Sequence, residues 1–460
     1  MTARTKVVPS MRSVDRSRIQ DIIEREEKVF EREHPKSKAM FARAKKSLLA
    51  GVPMNWMVRW AGTYPIFVKD AKAQYIRDID GRKYLDLCLG DTGSMFGHSP
   101  APVVDAVRKQ ISKGITMMLP TEDSVWVGEE LSRRFGLPYW QIAMTATDAN
   151  RFSIRLARDV TKRKYILAIN GCYHGTVDET LVNLEDGEVV PRVGNIGPPV
   201  DPRETTKLVE FNDIPALEAA LEARDVAALL MEPAMTNRGI ILPDPGYHEA
   251  VRRLTKRYGT LLIIDETHTL SSGIGGYTRE HGLKPDMITM GKPLASGVPV
   301  AAFGISQEVS DKVMERILSD GTDESGLGGT LSGNALATAA MKATLQKVIT
   351  EANFRKMLPL AKRFEKGIND VIKEYDMPWH VVRLGVRAEY HFTPTPPRNG
   401  TEYDSTKDQE LEKLMHLMAL NRGILLTPFH NMALISPYTT AKDVDHHTKV
   451  FRECVGALVE

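Results

Sequence analysis

Asp286-Met-Ile-Thr-Met-Gly-Lys292-Pro-Leu-Ala-Ser-Gly-Val-Pro-Val-Ala-Ala-Phe-Gly304 is the stretch that decides the fold. Two short apolar runs flank a turn rich in Pro and Gly, and one lysine stands just past the first run. Lysine is costly to bring in from water, so one at the tip of a buried strand needs a reason. One reason is covalent. An amine in a low-dielectric pocket loses its proton easily and can form a Schiff base with an aldehyde. The aldehyde cofactor that uses such a lysine is pyridoxal 5'-phosphate (PLP), whose ring nitrogen wants an acidic partner. Asp265, closing Leu261-Leu-Ile-Ile-Asp265, is placed for that role. The plain alternative is a lysine snorkelling beside a turn.

Working outward, the same texture repeats. Residues 141–145, 165–169, 226–231, 261–264, 287–290 and 300–304 are short, mostly apolar runs. Helical patterns separate most of them, such as 148–160, 214–223 and 247–258. Continuously apolar strands alternating with helices predict a parallel sheet covered on both faces, an α/β architecture. In such sheets ligands sit outside the carboxyl ends of the strands. Asp265, Glu232 and Lys292 all lie at strand ends and are predicted to converge on one rim. Upstream, Ile19, Ile22, Ile23 and Phe30 recur at helical spacing within an Arg/Glu-rich segment, predicting a helix over 12–34. Residues 64–89 alternate around Asp80-Gly81 and predict an antiparallel meander. A long helix is expected over 335–351, then an α+β region, with a loop over 394–404.

The 460 residues exceed what one simple core organises, so two domains are expected. The divisions read as 1–105 and 341–460, contributing to a smaller domain, around a large domain at 106–340. The 61 basic and 59 acidic residues leave a net charge of +2, which argues against nucleic acid as a partner. Three scattered cysteines, Cys88, Cys172 and Cys454, offer neither a disulfide framework nor zinc spacing, and fit a reducing cytoplasm. The charged first 35 residues have no apolar core, so neither a secretory signal nor a membrane anchor is expected there. No apolar run approaches the roughly 18 residues of a membrane-spanning helix.

Around the lysine, other pieces fall into place, each with an ordinary reading beside it. Thr145-Ala146-Thr147-Asp148 joins a strand to a helix, where amides and hydroxyls suit a phosphate; alone it is ordinary N-capping. Tyr173-His174-Gly175 puts an aromatic ring where it can stack on a pyridine face, or simply pack. Gly328-Gly329-Thr330-Leu-Ser-Gly-Asn334 either completes a phosphate site or is structural.

Together these residues resemble the class III (ornithine/GABA-type) aminotransferase family of PLP fold type I, from about residue 36 to the C-terminus. The branch they are most similar to holds glutamate-1-semialdehyde aminomutase and related amine and β-amino acid transaminases. The lysine segment and Gly329-Thr-Leu-Ser-Gly-Asn334 carry the resemblance, with Asp80-Gly81, Tyr84-Leu85-Asp86, Gly97-His98 and Glu232-Pro233. It implies a mostly parallel seven-stranded sheet, plus a smaller α+β domain formed by both chain ends. It implies that Lys292 is the Schiff-base lysine and the acid/base, that Asp265 pairs with the pyridine nitrogen, and that Tyr173 stacks on the ring. Thr145, Ala146 and Thr147 would hold the phosphate, with His174, Glu232, Thr267 and His268 around the cofactor. Thr330 would reach the phosphate of a neighbouring subunit, since family sites are shared across a homodimer. Arg59, in Met57-Val-Arg-Trp60, matches an arginine that binds a substrate carboxylate; Trp56, Met57 and Trp60 beside it read as an apolar pocket wall or as dimer-interface packing, and Arg387 is a second carboxylate candidate.

There are departures. Ala146 stands where the family has glycine, Thr267 where it has an apolar residue, and His268 and Thr269 depart further. The glycine-rich gating stretch of the aminomutase is not evident near Ser271–Gly276. The leading expectation is therefore a PLP-dependent aminotransferase that passes an amino group from an amine or amino acid to a keto acid, ketone or aldehyde through Lys292. The alternative is an aminomutase or epimerase that keeps its intermediate. A silent fold used only for binding would have lost Lys292 or Asp265, and both are present.

Overall fold

The computed structural model describes residues 14–320 and 326–459. A seven-stranded sheet forms its centre. In spatial order the strands are Tyr139–Ala143, Ala301–Ile305, Met287–Met290, Leu261–Asp265, Val226–Met231, Tyr165–Ile169 and Thr206–Val209. Only Ala301–Ile305 runs against its neighbours. The central strands are mostly apolar because both faces are covered, and Val226–Met231 and Leu261–Asp265 are buried at every position. On one face the helix Ala146–Thr161 buries Ala149, Phe152, Ile154, Leu156 and Ala157. Helix Tyr247–Tyr258 covers the other cluster with Tyr247, Val251 and Leu254. Each of the Phe, Ile, Leu and Val side chains among these contributes about 1.5–3 kcal/mol on burial.

The seventh strand, Thr206–Val209, escapes a sequence search because Lys207 interrupts its apolar run. It lies at the sheet edge, where Lys207 reaches Asp225 at 2.6 Å. The meander appears as Val68–Lys72, Tyr75–Asp78 and Lys83–Asp86. Its last strand pairs in parallel with Ile424–Leu425, so residues from both chain ends share one small sheet. Helix Arg16–Glu33, capped by Asp15, buries Ile19, Ile22, Ile23 and Phe30 and packs on helix Gln409–Asn421. Residues 12 and 13 of the expected helix lie outside the described residues.

Two expectations need correction. The single helix over 335–351 is two, Ala335–Lys347 and Glu351–Glu374, because the Thr350 side chain caps the second by accepting from the Asn353 amide. The expected loop over 394–404 contains the short helix Gly400–Ser405, capped by Asn399 in the same way. Among the described residues no helix is long and apolar enough to cross a membrane. All three cysteines are free and buried.

Candidate active site

The carboxyl ends of the parallel strands open into a cavity of ≈ 380 Å³. Thr145, Ala146, Thr147, Tyr173, His174, Glu232, Asp265, Thr267, His268 and Lys292 all line it. These are the residues expected around the cofactor, except Thr330.

Asp265 ends a strand buried at every position and is fixed on both oxygens. Oδ2 accepts from His174 Nδ1 at 2.9 Å and from Asn150 Nδ2 at 3.0 Å, and Oδ1 accepts from the Thr267 amide at 3.0 Å. Asn150 is itself held, donating to the His174 carbonyl and accepting from the Thr289 hydroxyl at 2.6 Å. A carboxylate only accepts, so His174 carries its proton on Nδ1. Burial works against the Asp265 charge, but His174, Thr267 and Asn150 outweigh it and hold the carboxyl down at about 2. Glu232 is the opposite case. Burial raises its carboxyl above the usual range, and Thr236 and Asn237 donate to it. Two neighbouring acids thus hold different protonation tendencies.

The strand Tyr139–Ala143 feeds helix Ala146–Thr161 through Thr145, whose hydroxyl accepts from the Asp148 amide at 3.2 Å. The first amides of a helix have no partner inside it, so those of Ala146 and Thr147 are available to an anion. Ala146 keeps a negative φ, so its methyl group is accommodated where the family has glycine. Gly175 closes this corner. Its φ is +83°, and a Cβ there would stand 2.2 Å from Thr147 Oγ1. Tyr173 forms a wall with Trp56, their rings 5.4 Å apart.

Lys292 sits on a different kind of backbone. Its φ is +47°, uncommon for a residue with a side chain. Facing it, Leu89, Gly90, Asp91 and Thr92 form an unbroken left-handed run, φ 46°, 61°, 48° and 80°. The three with side chains, Leu89, Asp91 and Thr92, cost roughly 1–3 kcal/mol each and persist only where the surroundings over-determine them, while Gly90 adopts this region freely. The run brings Asp91 Oδ2 to 2.6 Å from Lys292 Nζ, while His268 Nε2 approaches the same nitrogen at 2.8 Å. Burial opposes the charge on Asp91, yet Lys292 and His268 hold its carboxyl far below the usual range. Neither Asp91 nor Thr92 figures in the sequence reading. The available signal was Leu89-Gly-Asp-Thr-Gly-Ser94, a run of turn formers just after a strand. Asp86 anchors it, accepting from the amides of Cys88 and Leu89 and bonding His98 at 2.7 Å.

The substrate-side candidates separate. Arg387 is buried to 1% exposure and reaches Thr92 and His268, not the open cavity. Arg59 is exposed, its guanidinium 5.7 Å from the centre of the Phe429 ring. Phe429 in turn meets Trp56, so Arg59 stands one aromatic layer outside the cavity. Of the expected wall residues, Trp56 lines the cavity, whereas Trp60 packs against the cluster of Phe30, Tyr64 and Tyr84, away from it. Thr330 is exposed and lines nothing in its own chain's cavity.

An amine, an ionised carboxylate and a helix-start anion corner therefore face one cavity. That donor set fits a pyridoxal phosphate: aldehyde carbon, ring nitrogen and phosphate each have a matching group. The family model for class-III aminotransferases matches residues 56–455. The chain belongs to that family. Its cofactor is pyridoxal phosphate. Among curated relatives, a glutamate-1-semialdehyde 2,1-aminomutase of Sulfurihydrogenibium azorense is 32% identical over 92% of this chain and 99% of its own length. Among solved structures, a glutamate-1-semialdehyde aminomutase from Pseudomonas aeruginosa PAO1 is 46% identical, with TM-score 0.95, covering 97% of this chain and 99% of that one. An omega-transaminase from Sphaerobacter thermophilus is 27% identical, with TM-score 0.82, over 92% of this chain and 97% of that one. These likenesses favour the expected alternative, an aminomutase, over the leading expectation of a transaminase.

Proposed function

We propose that this class-III enzyme moves an amino group between neighbouring carbons of one small substrate, as a glutamate-1-semialdehyde-type aminomutase does. The observation that carries the reading is the extent of the likeness. Aminomutase relatives match over 92% of the chain and almost all of their own length, so more than a cofactor cradle is shared. When bound, pyridoxal phosphate supplies an electron sink that makes the carbon bearing the amine acidic. The chain's residues do the rest. Ionised Asp265 holds a proton on the ring nitrogen. Lys292 Nζ would take a proton from the substrate carbon and return it two atoms along, on the far side of the amine nitrogen. Thr145, Ala146 and Thr147 anchor the phosphate, Tyr173 covers the ring, and Trp56 with Val298 and Pro299 limits water. Thr330 serves the cavity of a second copy, which makes the working unit a homodimer. The setting is cytoplasmic, in keeping with three free cysteines.

A specific observation favours a second reading, transfer between two substrates. The segment near Ser271–Gly276, where the resemblance would put a glycine-rich gate, is pinned here. Glu266 accepts from the Tyr277 amide at 3.0 Å, and the Val386 amide donates to the Ser271 carbonyl at 3.0 Å. A gate must move between conformations, and a buried, doubly tied backbone resists that.

One experiment separates the two. Glutamate-1-semialdehyde is supplied to loaded enzyme without any keto acid. Steady formation of its isomer, 5-amino-4-oxopentanoate, supports the aminomutase reading. Turnover that needs added pyruvate and yields alanine overturns it in favour of the transaminase.

A further inference from the structure

The row of polar groups behind Lys292 fixes more than its position. Arg387 Nη2 lies 2.8 Å from His268 Nδ1 and also reaches the Thr92 hydroxyl. A guanidinium only donates, and it keeps its protons at any working pH. The two hydrogens on Nη2 match these two acceptors. Nδ1 of His268 must therefore accept, and the ring proton is left on Nε2. Nε2 is the atom 2.8 Å from Lys292 Nζ. A donor there needs a lone pair to meet, and an ammonium has none.

We propose that Arg387 is a positioning residue: acting through His268, it holds Lys292 as an unprotonated amine, ready to capture the cofactor aldehyde or accept a substrate proton. This replaces the carboxylate-binding role expected for Arg387. It holds whether the amino group moves within one substrate or between two, and so is independent of the reading above.

Other features agree. Burial first, with the positive charge of Arg387 added to it, keeps the His268 ring neutral. Arg387 is fully enclosed, so water cannot substitute for its donors. The strained Thr92, φ 80°, holds the Oγ1 that takes the second hydrogen and lies 2.9 Å from His268 Nδ1. The charged and titratable groups facing the row are Asp91, Asp265 and Lys292 around His268, and Asp91, Glu389, Glu232 and Cys88 around Arg387. Asp91 pulls the other way, favouring an ammonium. It can also accept an N–H from a neutral amine, so its 2.6 Å contact is compatible with the free base.

The test uses full-length, cofactor-free protein with ¹⁵N-labelled histidine rings. His268 is picked out of the 12 histidines by the signal lost in His268→Gln. The expected result near neutral pH is a proton on Nε2 and none on Nδ1. An Nδ1–H ring, or a doubly protonated one, overturns the proposal without any further variant. A second readout is the rate at which Lys292 is reductively methylated by formaldehyde, followed on its peptide by mass spectrometry. Arg387→Met should slow this at neutral pH by about tenfold, because fewer molecules then carry the free amine. His268→Gln, whose amide can accept from Arg387 and donate to Lys292, should stay near the wild-type rate. His268→Leu should fall with Arg387→Met. Equal rates in wild type, Arg387→Met and His268→Leu would contradict the proposal.

Discussion

The two halves of the cavity are built by different means. The ring-and-phosphate half rests on regular structure: Asp265 ends a strand, Thr145 caps a helix, and the carboxylate is fully hydrogen-bonded. The lysine half rests on uncommon backbone: Lys292 at φ 47° facing four consecutive left-handed residues. Regular elements place a group where strands and helices end, which suits anchoring. A strained turn can set an amine against a carboxylate and an imidazole at 2.6 and 2.8 Å, which suits chemistry.

That contrast can be broken by substitution. Lys292→Ala should remove the acid/base altogether and lower turnover on the order of 10⁴-fold, with the fold intact by circular dichroism. Asp265→Asn keeps the shape but removes the charge. A loss of about a hundredfold in turnover is expected, with the loaded enzyme releasing cofactor faster on dialysis. Asp265 also gives a pH signature. Its folded carboxyl, about 2, lies below its ordinary 3.8, so its stabilisation is fully present above that ordinary value and is lost as pH falls towards 2. The difference in urea midpoint between wild type and Asp265→Asn should be flat from neutral pH down to mild acid and shrink below it.

Smaller effects sharpen the comparison. Gly175→Ala, forced against Thr147 at a positive φ, should cost about 1–3 kcal/mol of stability and loosen cofactor retention. Thr92→Gly should relieve backbone strain while losing its bond to Arg387. Its unfolding free energy should stay within about 1 kcal/mol of wild type while the rate of cofactor capture by empty protein falls. A large destabilisation instead would mean that the left-handed run is not strained. Arg59→Ala, outside the aromatic wall, should change KM by only a few-fold, about 1 kcal/mol or less, and leave kcat alone.

How much was legible in the sequence follows the same division. Lys292, Asp265, Glu232 and Thr145 could be placed from strand ends and a helix start, because apolar periodicity marks those ends directly. Tyr173 and His174 followed by position after a strand. Asp91 and Thr92 could not, because a left-handed run leaves no periodic trace and only a vague surplus of turn formers. Arg387 was noticed as a carboxylate binder: its sequence context shows a buried strand, but not that its guanidinium reaches His268 and Thr92. Trp60 and Trp56 show the same limit, since a short 3₁₀ turn over Asn55–Val58 decides which ring faces the cavity. Thr206–Val209 was lost to one interrupting lysine.

The most direct measurement is to reduce the cofactor-loaded enzyme with borohydride, digest it and map the modified peptide. The account predicts a phosphopyridoxyl group on Lys292 alone, absent from Lys292→Ala. A group on any other lysine, or none on wild type, would contradict it.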